Sequence, residues 1–277
     1  MLNIIKSDLY RLVRSKSLYI VIALIIVLAG ISVVTLSPGH IGISVQTSDT
    51  MMEPDTLQKI SEIKTLGDFR RIMKDLMPMK LDAQIIGQNS NLYYLFIVFV
   101  VVVLTSDFSN KSVKNTLSSA ISRREYFMSK LITLLGIGTV FVLFNNYFNY
   151  ALNYVVNGEK FTSGIGYITK ITVIQLPVIY AIICMLVCIA FVVRKTSTFN
   201  TVSIPFFMVL QVISMIVFAI IRETPEWYTK YELQNALANL SNHPSNVYII
   251  KCCVIGILYM IGFSVVGYYA FKNAEIK

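Results

Sequence analysis

The polar residues most able to do chemistry in this chain are amides that recur at helical spacing. Asn145, Asn149 and Asn153 lie at i, i+4 and i+8, so a helix would place them on one face. They fall inside an otherwise apolar run, as does Gln211 further along the chain. Unpaired amides in hydrocarbon are costly, so these side chains are expected to face protein or water. Two interpretations stay open for Asn145, Asn149, Asn153 and Gln211: hydrogen bonding between packed helices, or a path for an amphipathic substrate.

Patterns that would support catalysis or cofactor binding are missing from the sequence. It contains no G-x-x-x-x-G-K-[S/T] nucleotide loop, no G-x-S-x-G elbow, and no cluster of His, Cys and carboxylates at metal-ligand spacing. All four cysteines lie in apolar runs. Cys184 and Cys188 are four residues apart, too far for a disulfide within one helix, which indicates buried packing thiols. We therefore predict no enzyme activity, bound cofactor or metal site in this chain.

The elements that must position the amides are apolar runs. Of the 277 residues, 55% are hydrophobic and only 14% are charged, whereas about a quarter of the residues in soluble domains are charged. A helix needs roughly 20 apolar residues to cross a bilayer. Runs near this length occupy residues 18–36, 91–106, 131–156, 171–193, 202–221 and 247–271, the second being the shortest. We predict an all-α integral membrane protein with six transmembrane helices.

The charges between these runs predict the orientation of the chain. The N-terminus, the segments after the second and fourth runs, and the C-terminus carry 13 basic and 4 acidic residues. The remaining segments carry 11 of each, so the whole net charge of +9 lies on one side of a six-span arrangement. Basic residues concentrate on the cytoplasmic side of membrane proteins, so we predict N-in and C-in ends. Because the excess charge follows the membrane topology, a nucleic-acid partner is not indicated.

Two segments outside the spans carry amphipathic patterns. Residues 1–17 place apolar side chains on one helical face and Lys6, Arg11 and Arg14 on the other side, which predicts a helix in the membrane interface. Residues 37–90 form a predicted extracellular loop, with a helical segment between a capping box at Asp55 and a stop at Pro78. This segment is interpreted either as a helical cap or as a surface that recognises substrate.

The segment 107–129 is the most informative part of the sequence. Its apolar residues follow a helical period and are Val113, Leu117, Ala120 and Ile121. Ser122 and Glu125 then form a capping box that starts the third span. The pattern predicts a compact helix-turn-helix elbow. A connecting loop needs no amphipathic face, whereas an element that passes force from a soluble partner to the membrane needs this rigidity.

Two stretches of this sequence resemble the permease subunits of ABC-2-type ABC transporters. One is the basic amphipathic start Ile5-Lys6-Ser7-Asp8-Leu9-Tyr10-Arg11-Leu12. The other runs from Asp107-Phe108 to Ser122-Arg123-x-x-Tyr126-x-x-x-Lys130-Leu131. Six spans with a large first external loop are similar to that family as well.

The resemblance implies a single permease domain over residues 1–277 that pairs with a second copy or a related permease. It implies a separate ABC ATPase subunit that binds ATP and docks on a cytoplasmic coupling helix. By this match the ATPase-coupling residues are Lys114, Leu117, Ile121, Arg123, Arg124 and Tyr126. Small bacterial members export, or protect against, antimicrobial peptides such as lantibiotics, which implies a multi-pass protein of the bacterial plasma membrane.

Two other classes remain as alternatives. The first is a self-contained membrane protein without an ATPase partner, such as a peptide-immunity factor, a channel or a secondary carrier. The second is an intramembrane enzyme or assembly factor. An intramembrane enzyme or a proton- or sodium-coupled secondary carrier usually places ionisable residues deep within its spans, and the apolar runs of this chain are nearly free of them.

Overall fold

The computed structural model of the protein describes residues 1–36, 81–88, 93–118, 121–221, 232–241 and 244–274. Every regular element within these ranges is helical, which confirms the all-α prediction for them. In chain order the elements are α1 (Leu2–Arg14), α2 (Lys16–Leu36), α3 (Leu81–Gln88), α4 (Tyr93–Val100), a π-helical turn (Val101–Thr105), a last helical turn (Ser106–Ser109), α5 (Ser112–Ser118), α6 (Arg123–Asn157), a 3-10 turn (Glu159–Phe161), α7 (Ile165–Val193), α8 (Thr196–Ile221), α9 (Leu233–Ser241) and α10 (Asn246–Lys272).

Four of these helices, α2, α6, α7 and α10, are long and apolar enough to cross a membrane. A fifth candidate is the pair formed by Leu95–Ser109 and α5, which is bent by 75°. The predicted run 202–221 lies within α8, which is 26 residues long. The described residues therefore form a bundle with several membrane-length apolar helices. Six spans and the N-in, C-in orientation stay predictions.

Local hydrogen bonds explain where α6 and α2 begin. The Ser122 side chain accepts a hydrogen bond from the Glu125 N–H, and the Glu125 carboxylate accepts one from the Ser122 N–H. The predicted capping box at the start of α6 is thus confirmed. Between α1 and α2 the chain is extended at Ser15 alone, whose hydroxyl oxygen accepts from the Leu18 N–H. One residue therefore separates α1 from the first membrane-length helix.

Two glycines of α10 allow it to lie against α7, its most extensive partner. A Cβ on Gly256 would lie 2.9 Å from the carbonyl carbon and oxygen of Pro177, and one on Gly267 would lie 3.1 Å from the Cα of Cys188. The two backbones therefore approach more closely than a side chain would permit. All four cysteines are free, and Cys184, Cys188 and Cys252 are buried, in agreement with their predicted packing role.

The short helix α3 lies at the end of the bundle opposite to α5, where it contacts α2, α6 and α9. Asp82 of α3 is fully buried, and its carboxylate accepts from the Ser163 N–H at 2.6 Å and from the Ser163 hydroxyl at 2.8 Å. Within the predicted external loop 37–90, residues 37–80 lie outside the described part of the chain. The predicted amphipathic segment between Asp55 and Pro78 lies there too.

Candidate coupling site

The predicted elbow forms where the segment Leu95–Ser109, which continues α4 through the π-helical turn, turns sharply into α5. The axes of Leu95–Ser109 and α5 differ by 75°, and Lys111 at the turn has a φ of 56°. The Ser112 hydroxyl donates to the Asp107 carbonyl and closes the turn. On α5, Val113 is buried and Leu117 is half-buried, as the apolar period predicted, and Ile121 beyond it is half-buried as well. The structure thus confirms a short helix with an apolar face at Ser112–Ser118, while Ala120 of the predicted period lies outside the described residues and Ile121 follows the helix.

A π-helical turn, Val101–Thr105, precedes the elbow and changes its hydrogen bonding. Such a turn departs from the regular i, i+4 ladder, so carbonyls in it become available to other donors. The Val103 carbonyl accepts from Lys130 Nζ at 2.9 Å and from Arg11 Nη2 at 2.8 Å. The turn therefore gives α1 and α6 a shared anchor on the segment that leads into α5.

Four charged side chains meet beside this carbonyl and form what we call the ionic cluster: Asp8, Arg11, Asp107 and Lys130. Lys130 Nζ lies 2.7 and 2.8 Å from the two Asp8 carboxylate oxygens and 2.6 Å from Asp107 Oδ2. Arg11 pairs with both acids, at 3.1 Å from Asp8 Oδ1 and in a short contact with Asp107 Oδ1. Two positive and two negative charges thus balance where α1, the elbow and α6 converge.

Burial makes this cluster energetically important. Lys130 is 1% exposed, Asp8 3% and Asp107 6%. Burial raises the pKa of the Asp8 carboxyl above its ordinary value, and the Lys130 ammonium next to it acts in the opposite direction. Removing charges from water is costly, so such a cluster tolerates the loss of a partner poorly. The cluster joins α1, the elbow and α6 through buried ion pairs.

Tyr126 extends the cluster and lies one helical turn before Lys130. Its hydroxyl donates to Asp107 Oδ2 at 2.9 Å, and its ring packs 5.6 Å from the ring of Phe271 at the end of α10. Tyr126 is 1% exposed. Tyr126 was predicted as a coupling residue. The structure places it inside the protein, where it positions Asp107 and does not face a soluble partner.

The other predicted coupling residues occupy different environments. Lys114 and Arg124 are exposed, whereas Leu117, Ile121 and Arg123 are half-buried. Arg123 Nη1 donates to the carbonyls of Phe271, Lys272 and Ala274 at the C-terminal end of α10. A cation at this end also interacts favourably with the helix dipole. The structure thus gives Arg123 a packing role and leaves Lys114 and Arg124 open to a partner.

An aromatic group and a hydroxyl chain tie the elbow to the rest of the bundle. The Phe108 ring lies 5.8 Å from Phe191 and 6.3 Å from Phe271. The Ser109 hydroxyl lies 2.7 Å from the Thr196 hydroxyl, which donates to Thr105 at 3.1 Å. The base of the elbow therefore contacts α7, α8 and α10 as well as α1 and α6.

The asparagine stripe lies on α6, and its members are buried. Asn149 Nδ2 donates to the carbonyl and side-chain oxygens of Asn145, at 2.8 and 2.9 Å. Asn153 Nδ2 donates to the Phe161 carbonyl at 3.2 Å. These hydrogen bonds stay within α6 and the 3-10 turn that follows it, so both interpretations of the stripe remain open. The side chain of Gln211 lies outside the described part, so its assignment to a substrate path stays a prediction.

A second polar chain beside the stripe was not anticipated from the sequence. Asn146 Nδ2 donates to Thr172 Oγ1 at 3.0 Å and to Gln175 Oε1 at 3.2 Å. Gln175 in turn donates to the Leu237 carbonyl at 3.2 Å. The chain links α6, α7 and α9 through side chains that are buried. Asn146 follows directly after Asn145, but no spacing in the sequence points to Gln175 as its partner.

The ionic cluster itself was not predicted, although each of its residues lies in one of the two stretches that carry the family resemblance. The interface-helix prediction placed Arg11 on the outer, polar side of α1. In the structure its side chain is 38% exposed and lies at the edge of that side, where its guanidinium pairs with Asp107 and donates to the Val103 carbonyl. The available signal was Asp8 on the apolar side of α1, one turn from buried Leu12.

Within the residues that the structure describes, no three His, Cys, Asp or Glu side chains come together as metal ligands. The chemistry that the cluster offers is ion pairing between α1, the elbow and α6. Comparison of the chain with protein-family models, with curated proteins and with solved structures finds no match in any of the three. The candidate site therefore rests on the residues and geometry described above.

Proposed function

We propose that this chain is the membrane-spanning permease subunit of an ATP-driven ABC transporter. In this proposal α5 and the start of α6 dock on a separate ATPase subunit and pass its movement to the membrane helices. The observation that carries the proposal is the way the elbow is anchored. A helix of seven residues is held at a sharp angle by a buried ionic cluster, an aromatic group and a hydroxyl chain.

Anchoring of this kind supports force transmission better than simple connection. A short exposed helix is marginal alone, because few hydrogen bonds offset the cost of ordering it. Here Asp107, two residues before the end of the segment Leu95–Ser109, is bound by Lys130 at the base of α6 and by Arg11 on α1. Displacement of α5 would therefore pull on two other elements at once.

The exposed surface of the elbow is basic and fits a soluble partner. Lys111, Lys114 and Arg124 are exposed there, and Glu125 is engaged with Ser122 in the capping box. This chain contains no nucleotide-binding loop, so the proposal assigns ATP hydrolysis to the partner. The family resemblance implies an antimicrobial or other amphipathic peptide as the substrate, and we include it in this proposal. We likewise propose that the protein lies in a bacterial plasma membrane.

Purification of the tagged protein from its native membranes in a mild detergent, with mass spectrometry of what remains bound, tests the proposal. We expect a Walker-type ATPase in about equal amounts. A related permease in the same sample would indicate a heterodimer, and its absence would indicate two copies of this chain. Recovery of the chain alone, repeated after crosslinking, would contradict the proposal in favour of a self-contained peptide-immunity factor, channel or carrier.

A pair of charge reversals locates the docking surface. Lys114→Glu with Arg124→Glu should reduce recovery of the ATPase and ATP-driven transport, because both side chains are exposed on the elbow. The matched control is Lys170→Glu with Lys251→Glu. Both lysines are exposed near the N-terminal ends of α7 and α10, at the end of the bundle away from the elbow. Equal effects of the two pairs would show that the elbow is not the docking surface.

A further inference from the structure

α1 packs against the protein through only one of its faces. On the inward face Asp8 and Leu12 are buried, one helical turn apart. The adjacent face carries three exposed apolar side chains that recur at i, i+7 and i+11: Leu2, Leu9 and Val13. Leu2 is 81% exposed. Exposed apolar side chains in a row on one helix need an apolar environment outside the protein.

The third face of α1 is exposed and basic. Lys6, Tyr10 and Arg14 recur at i, i+4 and i+8, so they form one stripe. The Arg14 guanidinium lies 4.7 Å from the centre of the Tyr10 ring, which orients it along this stripe. Lys16, at the start of α2, is exposed as well. Asp8 is the only acidic residue among residues 1–36 and is buried, so α1 and α2 carry no exposed carboxylate of their own to offset these cations.

The position of α1 brings both exposed faces to the boundary of the bilayer. Only Ser15 separates α1 from α2, one of the four membrane-length helices. The end of α1 must therefore lie where α2 enters the membrane. An apolar stripe beside a basic stripe, at this depth, matches a helix that rests between acyl chains and headgroups.

We infer that α1 binds the headgroups of anionic phospholipids, with Lys6, Arg14 and Lys16 contacting phosphate and Leu2, Leu9 and Val13 entering the acyl boundary. Zwitterionic headgroups would offer the apolar stripe the same environment but would not balance the cations. The inference rests on the proposed membrane placement of α1. It does not require an ATPase partner.

A lipid titration on the purified full-length chain tests this inference without any partner protein. The protein in a non-ionic detergent is titrated with phosphatidylglycerol or with phosphatidylcholine, and the rise in Tm is followed. We expect half of the rise in Tm to be reached at a lower mole fraction of phosphatidylglycerol than of phosphatidylcholine. Each of Lys6→Gln, Arg14→Gln and Lys16→Gln should weaken this preference by about fivefold, and the triple variant should lose it. Added salt should weaken it in the wild-type chain.

Two sets of variants separate specific binding from a general effect of charge. Lys6→Arg with Lys16→Arg keeps the charges and should keep the preference. Lys170→Gln with Lys251→Gln removes exposed lysines at the far end of the bundle and should also keep it. The inference is overturned if the triple variant discriminates as wild type does, or if the far pair loses as much preference as the α1 variants. Should the triple variant not fold, the three single variants decide the question.

Discussion

Replacing Lys130 by methionine should destabilise the protein strongly. The two side chains have similar length, so the change removes the ammonium without opening a large cavity. Lys130 Nζ contacts both carboxylate oxygens of Asp8, one of Asp107, and the Val103 carbonyl, all within 2.6 to 2.9 Å. Without it, two buried carboxylates share the single guanidinium of Arg11.

The magnitude follows from the burial of these groups. Breaking a buried ion pair by removing one partner costs about 3–5 kcal/mol, because the remaining charge is left in a poorly solvated site. At roughly 2–4 °C per kcal/mol for a chain of this size, Tm should fall by about 10 °C. Asp8→Asn combined with Lys130→Met restores neutrality and should recover at least about 1 kcal/mol of the loss.

Thermal unfolding of the purified variants in one detergent, followed by circular dichroism, measures these differences. Lys114→Met is the matched control, because Lys114 is exposed on α5 and its replacement should change the free energy of unfolding by no more than about 0.5 kcal/mol. If Lys130→Met were as stable as Lys114→Met, the ionic cluster would not hold the three elements together, and the coupling proposal would lose its structural basis.

Three further substitutions, two of them with a matched control, test individual contacts by the same unfolding measurement. Gly256→Ala should cost about 1–3 kcal/mol, because its Cβ would lie 2.9 Å from the Pro177 backbone, whereas Gly262→Ala has nothing within 4 Å and should be neutral or stabilising. Arg123→Ala should cost about 1–2 kcal/mol by releasing the carbonyls of Phe271, Lys272 and Ala274 at and just beyond the end of α10, while Arg124→Ala should leave Tm unchanged and lower ATPase stimulation. Asn149→Leu should cost about 1–3 kcal/mol by removing a buried donor; a change in substrate range at unchanged stability would instead indicate a substrate path.

The helices themselves could be predicted from the apolar runs because burial in a bilayer demands continuous apolar sequence. The run 131–156 lies within α6, which begins eight residues earlier at its capping box. The run 91–106 was predicted as one span, but the structure inserts a π-helical turn at Val101–Thr105. No glycine or proline marks this turn, and a run of valines looks the same in either kind of helix.

Pairings between distant residues could not be predicted in the same way. Asp8 and Lys130 are 122 positions apart, and only packing of α1 on α6 brings them together. Periodicity indicated which face of α6 carries Asn145, Asn149 and Asn153, but not what that face contacts. A helical pattern defines a surface, whereas the partner of that surface depends on the arrangement of all the helices.

The balance of charge within the ionic cluster has an electrical consequence. Moving one elementary charge through a membrane potential of 100 mV changes its energy by about 2.3 kcal/mol. Asp8, Asp107, Arg11 and Lys130 sum to zero, so shifting them together along the membrane normal does almost no electrical work. The ionic cluster itself would therefore add almost nothing to the voltage dependence of such a movement, and any dependence would come from the exposed cations of α1 and the elbow.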